Sequence, residues 1–339
     1  MVSVSIYELL YILYVNDISV LQDDYTKLTL YADDTIAAVR LTRNKYENRV
    51  RINVKAAEMQ LYMDSNNLKF NSDKTQLIVK LKGTNNMHNY LNLKMGDKTI
   101  EQEDTVKVLG VLIGKDEKYK EYLVNGKNSM MKFLNTRHSM VKMLAKFADL
   151  KTRKSLAEGL ILSKINYCIS LWGTTTAGIM QQIQVLLNDV VRTVFGIGRK
   201  RFQEITPLFK KLKWLKLTET LQYHDVISLN SIIKHHTPQD LAEKFRPVVR
   251  HSHNTRSASQ LYLRNPETTS RNTVRSTAYV CRAAKHYEEL DEMLKKSLFM
   301  PRWAFKDIYR SQIGGWPTKE RTSNVLFYLE ALRDAGKNY

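Results

Sequence analysis

Cysteine, glycine and proline are all scarce in this sequence. Its 339 residues include two cysteines, 13 glycines and six prolines. Cys168 and Cys281 lie far apart and match no zinc or redox spacing, which excludes in practice a small secreted protein stapled by disulfides. So few glycines and prolines exclude collagen-like and proline-rich low-complexity architectures. The chain is therefore expected to fold around real hydrophobic cores, in two or three domains.

Long apolar runs are also missing. No stretch approaches the roughly 18 uncharged apolar residues that a membrane-spanning helix needs. The apolar start, MVSVSIYELLYILYV, has no basic region before it, contains Glu8, and reaches Asn16 and Asp17 without a small-residue cleavage pattern. These features predict a soluble intracellular protein with no membrane partner.

Acidic residues are the minority among the charged ones. Lys and Arg number 53 against 34 Asp and Glu, so the formal net charge is +19 at pH 7. A balance of this kind predicts a polyanionic partner, and nucleic acid is the leading candidate.

The first third of the chain mixes strand and helix signals. The runs Lys27–Tyr31 and Thr35–Arg40 flank Ala32, Asp33 and Asp34, which predicts a β-hairpin with the acidic pair at its tip. One helix face is indicated by apolar residues at spacings of four, three and four: Val50, Val54, Ala57 and Leu61. That helix is expected to end near the polar cluster at residues 64–67.

Further strands are predicted after this helix. Thr75–Leu81 is one candidate, and Val106–Ile113, which contains Gly110, is another. Between them, Leu91–Met95 and Thr99–Ile100 flank Gly96–Asp97, which indicates a second hairpin. An α+β unit is therefore expected over residues 1–115.

Beyond residue 115 the pattern becomes helical and basic. Helices are predicted around Tyr122–Phe147, Leu156–Trp172, Ile179–Phe195 and Leu217–Ile233, and after Tyr279, with Gly196 as a helix stop. The polar composition of residues 247–275 predicts a loop or an extended arm. We divide this part into helical regions at 116–216 and 217–339.

The tetrapeptide YADD, Tyr31 to Asp34, indicates a function only together with the sequence motifs around it. Taken alone it predicts only an Asp-rich hairpin turn. Here LLYILYVNDI precedes it, a helix comes after it, and then come LKFNSDKTQLIV and VKVLGVLIG. This series, in this order and at close spacing, resembles the reverse transcriptases of non-LTR retrotransposons, and the similarity covers their palm domain from the end of its substrate-facing helix onward.

The resemblance implies roles for specific residues. Asp33 would be a Mg²⁺ ligand, with Asp34 as its neighbour, and Tyr31 would form part of the floor near the primer end. Lys74 of NSDKT would lie near the leaving pyrophosphate, although a solvated strand-edge lysine is an equal alternative. The stretch Val106–Gly114 is similar to the primer-grip hairpin, with Leu109 and Gly110 near the primer. Leu28 and Leu30 would anchor the Asp hairpin in the core.

An active polymerase of this family needs another strand aspartate, which precedes the Asp hairpin by a long stretch of sequence. Asp17, Asp23 and Asp24 lie before Tyr31, but none fits that strand pattern. The triphosphate-binding fingers are likewise missing from the sequence. The two-metal site is therefore expected to be incomplete in this chain, which would be inactive alone.

A cluster of basic residues surrounds Trp214. Its predicted template and primer contacts are Arg199, Lys200, Arg201, Lys210, Lys211 and Lys213. The alternative is a solvated helix face whose apolar residues pack inward, with Trp214 in the core.

The hypothesis is thus an α+β partial palm (1–115), a helical thumb-like domain (116–216) and a helical C-terminal extension (217–339) with a polar loop near 247–275. By resemblance, the parent activity is RNA-directed DNA synthesis with Mg²⁺, an RNA template, a DNA primer and deoxynucleoside triphosphates. Nuclear residence is implied in the same way. The alternatives are a non-catalytic protein that binds nucleic acid and a truncated copy without selected function.

Overall fold

The computed structural model describes residues 6–80, 91–114, 118–199, 204–245, 247–248, 262–263, 279–290 and 302–318. The chain divides into two compact units, Met1–Asp116 and Glu117–Tyr339. The architecture is mixed and mainly helical, with small sheets whose strand pairs are mostly antiparallel, which confirms the α+β class. The predicted boundary between 216 and 217 lies inside the second unit.

The described residues of the first unit form three hairpins and one long helix. Its elements are α1 (Ile6–Tyr14), a 3₁₀ turn (Asn16–Leu21), β1 (Thr26–Tyr31), β2 (Asp34–Val39), α2 (Lys45–Ser65), β3 (Leu77–Ile78), β4 (Asn92–Met95), β5 (Lys98–Glu103), β6 (Thr105–Val108) and β7 (Val111–Gly114). β1 pairs with β2, and β6 pairs with β7, both antiparallel. β5 lies between β4, which is antiparallel to it, and β3, which is parallel to it.

The helix α2 covers the three-stranded sheet. It begins at the side-chain cap Asn44, whose Oδ1 accepts hydrogen bonds from the backbone amides of Tyr46 and Glu47. Two small clusters form the core beneath it, one around Ile52 and one around Ala56. The hairpin β4–β5 packs on this helix through β4. Met95 pairs with Lys98, which confirms the two-residue turn that the sequence predicts at Gly96–Asp97.

The predicted face of α2 is wrong, although the helix itself is confirmed. Val50, Val54 and Leu61 are exposed by 46%, 50% and 69%, whereas Ile52 and Met59 are buried. Both stripes have helical spacing, and the period alone cannot say which one meets the sheet. The helix therefore keeps a second apolar stripe on its open side.

The apolar pattern of Val106–Ile113 predicts one strand, but the stretch folds as a hairpin, the form that the resemblance implies for Val106–Gly114. It turns at Leu109 and Gly110, whose φ angles of +46° and +80° are both positive, as in a type I′ turn. The glycine is visible in the sequence, but a leucine gives no hint of a positive φ. β3 is also shorter than the predicted strand Thr75–Leu81, whose last residue lies outside the described part.

The second unit is built from helices. Its elements are a π turn (Glu121–Asn125), α3 (Met130–Leu144), α4 (Leu150–Ala157), a second π turn (Glu158–Leu162), α5 (Ser163–Asn166), α6 (Ile169–Trp172), α7 (Ala177–Phe195), α8 (Thr206–Leu212), α9 (Leu217–His235), α10 (Gln239–Ala242), a 3₁₀ turn (Glu243–Phe245), β8 (Pro247–Val248), β9 (Tyr262–Leu263), α11 (Tyr279–Glu288) and α12 (Arg302–Gly314). Gly196 ends α7 with φ +67°, which confirms the predicted helix stop. β8 and β9 pair inside the predicted polar loop, and the remainder of that loop lies outside the described residues.

A buried ion pair joins α9 to α11. Asp225 has no exposed surface, and its carboxylate accepts hydrogen bonds from Arg282 Nε at 2.5 Å and Nη2 at 3.2 Å. The same Nη2 also donates to the carbonyl oxygen of Ser170 at 2.6 Å. Around this pair, α9, α11 and α12 share a hydrophobic cluster that includes Val226, Tyr287 and Phe305.

Within the described part of the chain, no helix combines the length and the apolar character needed to cross a bilayer.

Candidate functional site

The predicted acidic hairpin is present and presents its tip to solvent. Tyr31 pairs with Asp34 across a two-residue turn formed by Ala32, with φ +51°, and Asp33. All four residues are exposed, Tyr31 by 63%. Asp33 is thus a turn residue, while Asp34 begins the second strand. Consecutive carboxylates therefore lie at an accessible hairpin end.

The base of this hairpin is fixed to α2 by Lys55. Its Nζ donates to the carbonyl oxygen of Leu21 at 2.9 Å and pairs with Asp23 at 2.9 Å and Glu58 at 2.6 Å. The hydrogen bond from Lys55 lowers the pKa of Asp23 to about 2, assisted by the backbone amides of Tyr25 and Thr26. The segment that leads into β1 is thereby held against the helix.

A second contact to α2 lies beside the first. The Arg51 guanidinium lies 3.9 Å from the centre of the Tyr25 ring, and its Nη1 donates to the carbonyl oxygen of Arg40 at 3.1 Å. Both ends of the hairpin are therefore bound at its base, and its tip projects from a fixed support.

The predicted anchoring by Leu30 is wrong. Leu30 is 38% exposed, and Leu28 is only partly buried. In the described residues β1 and β2 form a sheet of two strands, and Thr26 is the one buried residue of β1. The hairpin is therefore held at its base and not by Leu30.

Asp33 and Asp34 offer the oxygen donors that Mg²⁺ prefers, and Mg²⁺ is commonly held by one or two carboxylates together with substrate phosphates. These two carboxylates have no third ligand beside them in the described residues. Among the residues that the structure describes, no three His, Cys, Asp or Glu side chains group closely enough to hold a metal ion. A two-metal centre would need a further ligand from elsewhere.

Lys74 lies in a turn shaped by its own motif. The Asn71 Oδ1 accepts hydrogen bonds from the amides of Asp73 and Lys74, each at 3.2 Å, and the Thr75 hydroxyl donates to the Asn71 carbonyl at 2.8 Å. This is an Asx turn. It leaves the Lys74 side chain exposed, while Asp73 pairs with Lys98 at 2.6 Å. Asn71 and Thr75 therefore shape the loop that presents the lysine.

Leu109 and Gly110 occupy the tip of the β6–β7 hairpin. Both residues are exposed, and the leucine side chain is 37% accessible. The hairpin is joined to Gln76, the residue before β3, whose Oε1 accepts a hydrogen bond from the Lys107 amide at 3.1 Å. The structure therefore presents the predicted primer-contacting turn at a surface of the first unit.

The predicted basic cluster is only partly described, since Lys200 and Arg201 lie outside the described residues. Arg199 is exposed, but its guanidinium is bound by Asp189, with Nε donating at 2.8 Å. Asp189 also pairs with Arg192 at 3.0 Å, and the Arg199 hydrogen bond holds the pKa of Asp189 below its ordinary value. Arg199 is therefore already engaged by a carboxylate.

Three lysines at the end of α8 present a different environment. Lys210, Lys211 and Lys213 are exposed, and no carboxylate of the described residues forms an ion pair with them. Trp214 beside them is 2% exposed and donates from Nε1 to Glu158 at 2.8 Å, which confirms its predicted place in the core. The cations and the aromatic thus lie on opposite sides of this segment.

Sequence reasoning missed a surface where cations and exposed aromatic rings do meet. Phe133 and Arg137 on α3 face Lys164 on α5 and the following Tyr167, around a shallow depression. The available signal was an aromatic and a cation four residues apart on α3, and a cation on α5 with an aromatic three residues later, directly after that helix. We name these four residues the ring–cation surface.

A scan against protein-family models and comparisons with curated proteins and solved structures return no match.

Proposed function

We propose that this chain corresponds to the C-terminal half of a reverse transcriptase of the non-LTR retrotransposon type. The observation that carries the proposal is the hairpin β1–β2, which places Asp33 in a two-residue turn and Asp34 at the adjoining strand end, both open to solvent. The fixed base of this hairpin supports the proposal, because ligands of a reacting metal must hold their positions.

In this proposal the first unit contributes the chemistry. Asp33 and Asp34 would hold Mg²⁺, which when bound activates the primer hydroxyl and stabilises charge on the triphosphate. Lys74, exposed from its Asx turn, would neutralise charge on the leaving group. Tyr31 would contact the primer end beside the acids, and the turn at Leu109 and Gly110 would contact the primer strand.

The second unit would bind the template and primer. Lys210, Lys211 and Lys213 have no carboxylate partner in the described residues, so their charges are free to contact phosphates. Contacts of this kind are independent of sequence and weaken with salt. The proposed partner is an RNA–DNA duplex, and the proposed location is the nucleus.

A second candidate is a nucleic-acid-binding protein without catalysis. It is favoured by the acid pair, which no third ligand joins within the described residues, together with the unpaired lysines. Binding would then persist where nucleotidyl transfer does not.

The first experiment measures metal binding at the hairpin. Mn²⁺ would replace Mg²⁺, with bound metal followed by electron paramagnetic resonance in the presence of a primer–template and a deoxynucleoside triphosphate. We expect Asp33→Asn to weaken binding. Asp97→Asn is the matched control, since Asp97 is an exposed aspartate in another two-residue hairpin turn. Equal binding by all three proteins would contradict the metal site.

The second experiment separates the two candidates. Primer extension on an RNA template with Mg²⁺ would be compared for the chain, Asp33→Ala and Asp97→Asn. Primer extension by the original chain and Asp97→Asn, but not by Asp33→Ala, supports the polymerase. Salt-sensitive binding of the RNA–DNA duplex without extension supports the second candidate. Failure to bind either the duplex or single-stranded nucleic acid at low salt contradicts both candidates.

A further inference from the structure

The ring–cation surface lies where two helical segments of the second unit face each other. α3 contributes Phe133 and Arg137, while Lys164 and Tyr167 come from α5 and the residue directly after it. Together with Gly159, Leu160 and Ser163 they line an open depression.

A π turn shapes one wall of this depression. Helical backbone runs without a break from Leu150 to Asn166 and contains the π turn Glu158–Leu162. Such a turn adds one residue to the helix and rotates the next helical turn about the axis, and π turns occur frequently at functional sites. Gly159 leaves open space at this point, since a side-chain carbon there would meet no atom within 4 Å. The Ser163 hydroxyl donates to the carbonyl oxygen of Gly159 at 2.5 Å, which fixes the turn.

The two cations are held by rings. The Arg137 guanidinium lies 5.0 Å from the centre of the Phe133 ring. Lys164 Nζ lies 5.4 Å from the ring centre of Tyr122, 5.6 Å from that of Tyr167 and 6.0 Å from that of Phe133. Cation–π contacts position a charge without neutralising it. No carboxylate in the described part of the chain pairs with Arg137 or Lys164, in contrast to Arg199, so both charges are available to an anion.

The rings are accessible as well. Phe133 is 38% exposed and Tyr167 is 42% exposed, whereas Trp214 and Trp172 of the same unit are almost completely buried. Exposed aromatic rings beside uncompensated cations are the combination by which proteins bind unpaired nucleotides, since the rings stack on bases and the cations contact phosphates. The net charge of +19 complements such a polyanion.

We propose that the ring–cation surface binds single-stranded nucleic acid, with a base stacked on Tyr167 or Phe133 and the adjoining phosphate on Arg137 and Lys164. The inference rests on the nucleic-acid binding in the proposed function and names the strand form that this surface takes. A duplex is disfavoured because its bases are already stacked on one another.

The test measures the affinity of the full chain for a labelled short oligothymidylate and for a duplex of the same length, by fluorescence anisotropy at several salt concentrations. Tyr167→Leu is expected to weaken single-strand binding about tenfold, which matches the loss of one stacked base, and to change duplex binding little. Tyr167→Phe keeps the ring and should bind like the original chain.

The charge arm uses Arg137→Gln, with Lys151→Gln as control because Lys151 is an exposed lysine of α4 that does not line the depression. Arg137→Gln should lower single-strand affinity and reduce the slope of log affinity against log salt by about 0.7, the value for one lost phosphate contact. Circular dichroism and thermal midpoints confirm that each variant is folded.

The outcomes separate this inference from the proposed function. A triple variant, Lys210→Gln with Lys211→Gln and Lys213→Gln, should weaken duplex binding and leave the Tyr167 effect intact. Equal single-strand affinity of the original chain, Tyr167→Leu and Arg137→Gln overturns the inference, while duplex binding that the triple variant weakens still supports the proposed function. Failure of the original chain to bind either form overturns both.

Discussion

At the scale of single residues, the described ion pairs range from completely buried to exposed, and burial decides how much the loss of one partner costs. Asp225 is completely buried and shares its carboxylate with Arg282, whose side chain is 11% exposed. His286 lies beside this pair, with Nδ1 3.4 Å from Oδ2 of Asp225. Removing one member of a buried pair leaves the other charge without compensation, which costs far more than the pair contributes. Surface pairs such as Lys98 with Asp73 contribute little by comparison.

Asp225→Asn should therefore lower the free energy of unfolding by about 3–5 kcal/mol, because Arg282 would keep its charge in a buried place. Urea unfolding at neutral pH, followed by circular dichroism, measures the change. The control is Asp149→Asn at the exposed N-cap of α4, where Asp149 accepts a hydrogen bond from the Thr152 amide. Asparagine caps helices about as well as aspartate, so this variant should lose less than about 1 kcal/mol. Similar losses in the two variants would contradict the assigned role of Asp225.

At the scale of elements, the sequence predicted those features whose signals are local. A hairpin at Ala32–Asp34 and a two-residue turn at Gly96–Asp97 are indicated by polar or glycine residues between short apolar runs, and the end of α7 is indicated by Gly196. The predicted tip of the first hairpin is one residue too long, because Asp34 pairs with Tyr31 and belongs to β2. The buried face of α2 was not predictable in this way, since the choice between its stripes is made by strands elsewhere in the chain. Nor was the ring–cation surface, because Arg137 and Lys164 meet only after α3 and α5 have packed.

The β6–β7 turn gives a prediction at this scale. Leu109 has φ +46°, a conformation that costs an ordinary residue about 1–2 kcal/mol and that asparagine tolerates better. Asn-Gly is also the preferred pair for a type I′ turn. Leu109→Asn should therefore stabilise the first unit by about 1 kcal/mol, measured by urea unfolding.

The proposed contact of Leu109 with the primer can be tested with the same variant. If the leucine is kept for that contact, Leu109→Asn should weaken binding of a primer–template while it stabilises the fold. Gly110→Ala is the companion change, and it should destabilise the hairpin because alanine disfavours φ +80°. Greater stability together with unchanged binding would remove Leu109 from the proposed interface.

At the scale of the whole molecule, a high positive charge coexists with histidines that are kept neutral. Burial lowers the pKa of His138 below 6.5, and the nearby Lys142 lowers it further. Burial is also the main cause of the lowered pKa of His224. His138 Nε2 lies 2.9 Å from the Thr193 hydroxyl oxygen, and that hydroxyl donates to the Asp189 carbonyl, so the ring donates to Thr193. A neutral ring satisfies this arrangement.

These shifts make the stability of the protein depend on pH. Below pH 6.5 the unfolded chain binds protons that the folded chain does not, so the free energy of unfolding should fall as the pH drops from 6.5 through the folded-state pKa values. Urea midpoints between about pH 7.5 and pH 5 measure the decline. His138→Gln with His224→Gln should flatten it, and an unchanged pH profile in this double variant would assign the decline to other groups.

The open stripe of α2 has a practical consequence for anyone who handles this protein. This stripe exposes three apolar side chains to solvent, those of Val50, Val54 and Leu61. Three leucines of α1, Leu9, Leu10 and Leu13, are each more than half exposed as well. Exposed apolar surfaces of this kind associate with one another at high protein concentration unless another layer of protein covers them. Dilute solutions of the protein with mild detergent should therefore stay clear. Precipitation at high protein concentration would reflect this exposed apolar surface, even when the second unit is correctly folded.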